Sequence, residues 1–315
     1  MAVRYVAGRV AAVVPVAFLV TFVTFFLLRL VPGDPAAVML GPQAGEEQIQ
    51  ALRERLGLDR PVWAEYIRWL TRAVQGDLGD SIFLGRSVWQ AIAERLEPTV
   101  TLTVLAVGLA AIVGVTAGVA SAWRHRTAVD HAIMLVSMLG VSIPNFWLAL
   151  MLSLLFAVQL GWLPATGFVS VREGVGGALR HLVLPATALA LQQAGIIARM
   201  TRAAMLETLH SDYVRTARAK GVGEGAILWK HALRNSLIPI VTVIGVSFTV
   251  LLAGAIVVET VFNMPGLGRL IIQAVVRRDY PVVQGAVLVV SAMAVLVNLA
   301  VDLLYAVIDP RVRYE

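Results

Sequence analysis

The 315-residue chain contains no cysteine, which excludes a disulfide framework, a thiolate metal site and a thiol nucleophile. Lysine is nearly absent: of 26 basic residues only Lys220 and Lys230 are lysines, and neither precedes Ser or Thr. A phosphate-cradling G-x-x-x-x-G-K-[ST] loop has nowhere to form, so the chain does not hold ATP by that route. Charge is scarce, at 15% of residues against roughly 25% in ordinary globular chains. Apolar residues take its place: 58% of the chain is hydrophobic and mean hydropathy is +0.79. Two soluble domains, the usual reading of this length, are excluded, because so much apolar surface needs lipid around it.

A hydrocarbon core of about 30 Å takes about 20 apolar residues in a helix, with every backbone polar group satisfied inside the segment. Uncharged runs of that kind cover residues 10–28, 98–123, 131–171, 181–198, 235–258 and 280–301. The third is too long for one span, and Gly161-Trp162-Leu163-Pro164 is turn chemistry, so its helix is expected to end near Gln159. Pro144 should kink that helix. The first run is longer than a signal-peptide core and lacks a small-x-small cleavage site, so it reads as an uncleaved helix. The expectation is an all-α integral membrane protein with six transmembrane helices.

The basic residues orient it. With the N-terminus inside, the inner segments hold Arg4, Arg9, Arg124, Arg126, Arg199, Arg202, Arg215, Arg218, Lys220, Lys230, Arg234, Arg311 and Arg313. The two short outer loops hold only Arg172, Arg180, Arg269, Arg277 and Arg278. This bias places both termini in the cytoplasm. The net charge of +6 is therefore mainly topological rather than a nucleic-acid footprint.

Two segments stand outside the spans. Residues 32–97 form a slightly acidic outer region with apolar stripes at Ile49, Leu52 and Leu56, at Val62, Tyr66, Trp69 and Ala73, and at Val88, Ile92 and Leu96. These predict a helical extracytoplasmic cap packed on the membrane helices, with a docking surface for an outer partner as the sharper reading. Residues 199–235 form a basic inner segment. It reads as two short helices, the first capped by Ser211-Asp212 and ended by Gly221, the second carrying Ile227, Leu228, His231 and Ala232 on one face. From the residues alone this hairpin is either a knob for another protein or an amphipathic element on the membrane surface.

The hairpin carries a resemblance. Asp212-Tyr213-Val214-Arg215-Thr216-Ala217-Arg218-Ala219-Lys220-Gly221, followed by His231-Ala232-Leu233-Arg234-Asn235-Ser236-Leu237-Ile238-Pro239, resembles the coupling loop of ABC importer permeases of the dipeptide, oligopeptide and nickel branch. The general importer motif fits only at Ala217, Gly221 and Leu233: Arg215-Thr216-Ala217 replaces E-A-A, and Arg234 stands where proline would be. The branch form D-Y-x-R-T-A-R-A-K-G fits throughout. Pro32-Gly33-Asp34-Pro35, Gly76-Asp77-Leu78-Gly79, the stretch from Glu259 through Thr260-Val261-Phe262-Asn263-Met264-Pro265-Gly266-Leu267 to Gly268, and Asp309-Pro310-Arg311-Val312-Arg313 resemble the same branch.

The resemblance implies a type I ABC importer permease fold and a single permease domain over residues 1–315. It implies the first permease of a heterodimer in the bacterial inner membrane. It also implies partners: a second homologous permease, two ABC ATPase subunits and an extracytoplasmic solute-binding protein. The chain itself would be non-catalytic and bind no cofactor, with ATP and Mg held by the ATPases. Tyr213, Arg215, Thr216, Ala217, Arg218, Ala219, Lys220, Gly221 and His231 would form the ATPase-coupling surface. Small Ala217 and Ala219 would allow close approach, and Arg215, Arg218 and Lys220 would meet acids on the ATPase. Peptides are the expected cargo, with nickel chelates as the alternative within the branch.

A secondary transporter or channel driven by an ion gradient is the rival from another class. It would want several mid-membrane ionisable groups, and Asp302 is the lone acid within a span. Asp302 is read as structural, near the inner interface, rather than as a proton relay. Asn145, Gln192, Gln193 and Asn298 are the polar residues best placed to line a pathway, although interhelical hydrogen bonding explains them equally well. Gly114-Val115-Thr116-Ala117-Gly118 is a helix-packing pattern whose partner is not identified. The five scattered histidines offer no metal-ligand pair, and no catalytic constellation stands out within the spans.

Overall fold

The structure is a computed structural model that describes residues 14–26, 29, 35–41, 43–56, 59–81 and 83–308. Among the described residues the chain is helical, with only an isolated antiparallel bridge between Asp80 and Ser87. Helix α1 (Val14–Phe26) lies in the first apolar run. Helices α2 (Pro35–Leu40), α3 (Glu46–Leu56) and α4 (Val62–Val74) lie in the segment expected to form the cap. Arg4, Arg9, Pro32-Gly33-Asp34 and Asp309-Pro310-Arg311-Val312-Arg313 lie outside the described residues.

Four long apolar helices follow: α5 (Val88–Trp123), α8 (Val175–Leu209), α11 (Leu237–Val261) and α13 (Tyr280–Ile308). Between α5 and α8 the third apolar run is two helices, α6 (Ala128–Ser142) and α7 (Asn145–Gln159). They meet at 100°, a sharper break than a kink. The cause is local: proline has no N–H to continue the ladder, and it holds Ile143 extended at ψ 124°. Helix α7 ends at Gln159, as the turn chemistry predicts.

Both α5 and α8 overrun their uncharged runs. At 36 residues, α5 starts ten positions before Pro98 and is about 54 Å long at helical rise, more than the bilayer needs. The Val88, Ile92 and Leu96 stripe is therefore the start of α5 rather than a separate cap helix. Val88 and Ile92 are fully buried against Leu267, Leu270 and Ala274 of α12 (Leu267–Arg277) and against Val282 and Ala286 of α13. In the cap, Tyr66 of α4 is buried among Phe18, Phe22, Phe25 and Phe26 of α1, and its hydroxyl lies 3.2 Å from Thr21 Oγ1. The second apolar stripe thus packs on α1, whose described residues are shorter than a span. The described residues hold four spanning helices, or five with the bent α6–α7 pair, where six were expected.

Glycine identifies the central contact. A Cβ on Gly114 would lie 2.7 Å from Ile197 Cβ, and one on Gly118 would lie 2.5 Å from Thr201 Cβ and 2.6 Å from the Ala198 carbonyl. Helices α5 and α8 therefore touch backbone to backbone, which is the use of small residues between membrane helices. The partner of the Gly114–Gly118 pattern is α8. Gly195 on the next face of α8 meets the Ser137 carbonyl of α6 in the same way, at 2.5 Å. The central apolar core, with Leu102, Ala149, Leu189, Leu251 and Phe262, lies between α5, α7, α8 and α11.

Candidate functional site

The basic segment leaves α8 at Leu209 and makes a hairpin of α9 (Asp212–Ala219) and α10, a helical stretch over 224–235. Ser211 takes the N-cap position of α9, but its hydroxyl donates back to the Thr208 carbonyl instead of accepting from α9. At the other end, Gly221 adopts φ +79°, its N–H donates to Arg218, and the Val222 N–H donates to Ala217. This pair of bonds over a left-handed residue satisfies the last carbonyls of α9 and reverses the chain, a conformation that glycine adopts without steric cost. In α10, residues Ile227–Ala232 widen into a π-helical turn, with the Leu233 N–H bonded to the Leu228 carbonyl.

The hairpin has a fastened side and an open side. Val214, Ile227, Leu228 and Ala232 are buried, with Leu228 and Ala232 packed on Val119 and Ala122 of α5 and Met205 of α8. His231, placed on this face by its spacing, is half-buried. Tyr213 bridges the two helices: its hydroxyl accepts from Asn235 Nδ2 at 2.6 Å and donates to the His231 carbonyl at 3.4 Å. Exposed on the other side are Arg215, Thr216, Arg218, Ala219, Lys220 and Gly221, with Trp229 and Lys230. Ala217 is half-covered within the hairpin, so of the two small residues Ala219 is the open one.

The charges are organised differently from the expectation that all three cations await acids elsewhere. Arg218 Nε donates to Glu224 Oε1 at 2.7 Å, closing a clasp across the Gly221 turn. The hydrogen bond from Arg218 holds the Glu224 carboxyl below its ordinary value, and the same bond raises Arg218. Arg215 lies 3.4 Å from Asp212 one turn away. The tip thus presents a preset pattern rather than loose side chains.

The pathway candidates are divided by the fold. Gln193 is buried and accepts from Ser247 of α11 at 3.0 Å, and Gln192 donates to the Val141 carbonyl of α6 at 3.3 Å. Both therefore serve as interhelical bonds. Asn298 is exposed on α13. Asn145 begins α7 at the break, and its Oδ1 is buried without a hydrogen-bond partner.

Three buried acids, Glu259, Asp130 and Asp279, escaped the sequence reading. Glu259 is fully buried near the end of α11, so Asp302 is not the lone acid of the spanning helices. Its carboxylate accepts from Thr99 Oγ1 and from the Arg269 N–H at 3.1 Å, while Thr99 Oγ1 also accepts from the Leu267 N–H at 2.8 Å. The Glu259–Gly268 motif is thus a structural corner. Gly266 leaves room for the carboxylate, which a Cβ there would meet at 2.2 Å, and the acid faces the N-terminus of α12. Asp130, in the first turn of α6, is the second, and Asp279, which accepts from Ser81 Oγ at 2.5 Å, is the third. Asp302 is half-buried on α13 and is not without a partner.

The family described as "Binding-protein-dependent transport system inner membrane component" matches residues 114–314, and "Binding-prot-dependent transport system membrane comp, N-term" matches residues 2–103. The chain belongs to this family. It is a permease component of an ABC importer, embedded in the membrane through several helices, and the family works with ATPase, permease and binding-protein partners. Among its relatives is the "Probable peptide ABC transporter permease protein y4tP" of Sinorhizobium fredii, 44% identical over 310 residues that cover 98% of this chain and 99% of the relative. The "Di/tripeptide transport system permease protein DppB" of Pseudomonas aeruginosa is 42% identical over 332 residues, covering 99% of each. The "Glutathione transport system permease protein GsiC" of Escherichia coli is 43% identical over 313 residues, again covering 99% of each. In fold, the permease resembles a chain of the MetNI methionine ABC transporter in an inward-facing form, with TM-score 0.58, 18% identity, 69% of this chain and 95% of that chain covered. The type I importer permease fold follows, and an ion-gradient carrier does not.

Proposed function

We propose that this permease is the first of two permease subunits in a peptide importer, and that the hairpin over residues 212–235, the part of the 199–235 segment beyond α8, is where it meets an ATPase subunit. Relatives named for peptides, dipeptides and glutathione, matched along nearly the whole chain, favour peptides over nickel chelates. The hairpin lies in the cytoplasm with both termini, as the arginine distribution requires, and residues 32–97 face the binding protein. The ATPases hold ATP and Mg, and this chain hydrolyses nothing.

The observation that carries the docking role is the two-sided hairpin. One side is fastened to α5 and α8 through Leu228, Ala232 and Met205, while Arg215, Arg218, Ala219, Lys220 and Gly221 remain exposed at the tip. A knob so placed can enter a groove and pass on a displacement. Because Arg218 is held by Glu224 at 2.7 Å, whereas Arg215 only lies beside Asp212 at 3.4 Å with both side chains well exposed, Arg215 and Lys220 are the cations offered to acids on the ATPase. Along the pathway, Asn145 is the candidate with an unused acceptor, beside a helix break. Alternating access needs a ligand or partner that binds one state better than the other, and ATP-driven closure of the paired ATPases supplies it.

The absence of native cysteine makes the test direct. A single Lys220→Cys in the assembled importer should cross-link to the ATPase subunit, and ATP should change the yield. Cross-linking to lipid alone, unaffected by the ATPase, would return the hairpin to a membrane-surface role.

A further inference from the structure

One group of charged side chains is buried away from the hairpin tip and from the apolar core. Asp130 is 2% exposed. Its carboxylate accepts from Arg202 Nε at 2.7 Å, from Arg202 Nη2 at 2.8 Å, from the Arg126 N–H at 3.0 Å and from Ser121 Oγ. His125 Nδ1 lies 3.1 Å from Arg202 Nη2 and 3.3 Å from Asp130 Oδ2. A single carboxylate therefore gathers the last turns of α5, the α5–α6 turn, the start of α6 and the hairpin end of α8. The fork from Arg202 is two-pronged, which sets its direction as well as its distance.

The same place is held from both sides. Toward the membrane, Gly118 brings α5 against Thr201, the residue before Arg202. Toward the hairpin, Met205 packs with Val119, Ala122, Leu228 and Ala232, and Ser236 Oγ donates to the Ala204 carbonyl at 3.1 Å. Sliding α8 along α5 or α6 by one helical turn, about 5.4 Å, would separate both prongs from Asp130. It would also leave a carboxylate buried without its counter-charge, a state that buried pairs resist strongly.

We infer that Asp130 and Arg202 are positioning residues for coupling: they lock α5, α6, α8 and the hairpin into one body. A push at the tip then moves three membrane helices together instead of shearing one past another. This rests on the coupling role proposed above for the hairpin over residues 212–235. Lysine at 202 keeps the charge but loses the fork, and so isolates the geometry from the charge.

The test uses the complete importer in liposomes, with spin labels at Val129→Cys on α6 and Ala203→Cys on α8, both exposed. Their separation should stay constant to within about 2 Å between the nucleotide-free and ATP-trapped states, the scale of small helix shifts. A label at Lys220→Cys should move relative to one on the ATPase over the same step. In Arg202→Lys, peptide uptake per ATP hydrolysed should fall at least about tenfold, while binding-protein-stimulated hydrolysis remains near wild type. A larger nucleotide-dependent change in the 129–203 distance overturns the inference, as does Arg202→Lys with wild-type uptake per ATP. Should that variant fail to assemble, the distances in the otherwise native protein still decide. A Lys220 label indifferent to the ATPase would instead refute the coupling role, a result separate from the 129–203 distance.

Discussion

Gly118 of α5 and Thr201 of α8 are placed so that a Cβ on the glycine would sit 2.5 Å from the threonine Cβ. No side chain fits there without parting the two helices. Gly118→Val should destabilise the permease by about 1–3 kcal/mol or more, as overpacking does in tight cores. Gly108→Ala, in the same helix with nothing within 4 Å of the added atom, should be neutral or slightly stabilising. Thermal unfolding in detergent separates the two. Equal melting temperatures would mean that α5 and α8 are not in backbone contact.

At the hairpin tip, Gly221 has φ +79° with open space around it. A residue with a Cβ is strained there by about 1–2 kcal/mol whatever its size. Gly221→Val should therefore distort the reversal and reduce uptake per ATP hydrolysed, with membrane insertion unchanged. Ala219→Leu, which changes the exposed face without touching the turn, should act through docking and reduce ATPase association instead. Normal transport by both variants would exclude the tip from coupling.

The Arg218–Glu224 clasp has a definite pH dependence. Glu224 titrates below its ordinary value because of the bond from Arg218, so the clasp contributes fully above the ordinary glutamate range, near about 4.3. It is lost as pH falls through the lower value reached in the folded protein. Both side chains are about half exposed, so its worth is small, on the order of 0.5 kcal/mol. Amide exchange over residues 218–224 should be flat from neutral pH down to the carboxylate range once intrinsic rates are corrected, then rise. Glu224→Gln should show the raised exchange at neutral pH.

Much of this was legible in advance, for physical reasons that also mark the limits. Spans announce themselves because lipid excludes charge, so α11 and α13 lie close to the uncharged runs. The same criterion misplaces helix ends, because α5 and α8, at 36 and 35 residues, are longer than a bilayer needs and carry charges in the excess turns. It also concealed Glu259, which stands one residue past the run 235–258 yet is fully buried. Its partner Thr99 is 160 positions away, and no local spacing encodes such a pair. Arg218 was read as a free docking charge because the turn that brings Glu224 back to it exists only once Gly221 has folded. The break at Pro144 was visible as a kink; its 100° angle arises because Ile143 leaves the helical region altogether.

Thr99 is where the corner at Glu259–Gly268 is most easily tested. Its hydroxyl donates to Glu259 and accepts from the Leu267 N–H, so Thr99→Val leaves a buried acid and a buried amide each short of a partner. A loss of about 1–3 kcal/mol per unsatisfied group is expected, read as reduced thermal stability, and Thr99→Ser should restore most of it. Equal stability for valine and serine would remove the corner from the list of what holds α12.

The most direct measurement is uptake of a labelled dipeptide into proteoliposomes containing this permease, its permease partner, both ATPases and the loaded binding protein. Uptake should require internal or external ATP according to which side the ATPases face, should be stimulated by the binding protein, and should survive collapse of all ion gradients. Uptake that persists without ATP and vanishes with the ion gradient would contradict the coupling of this chain to an ATPase.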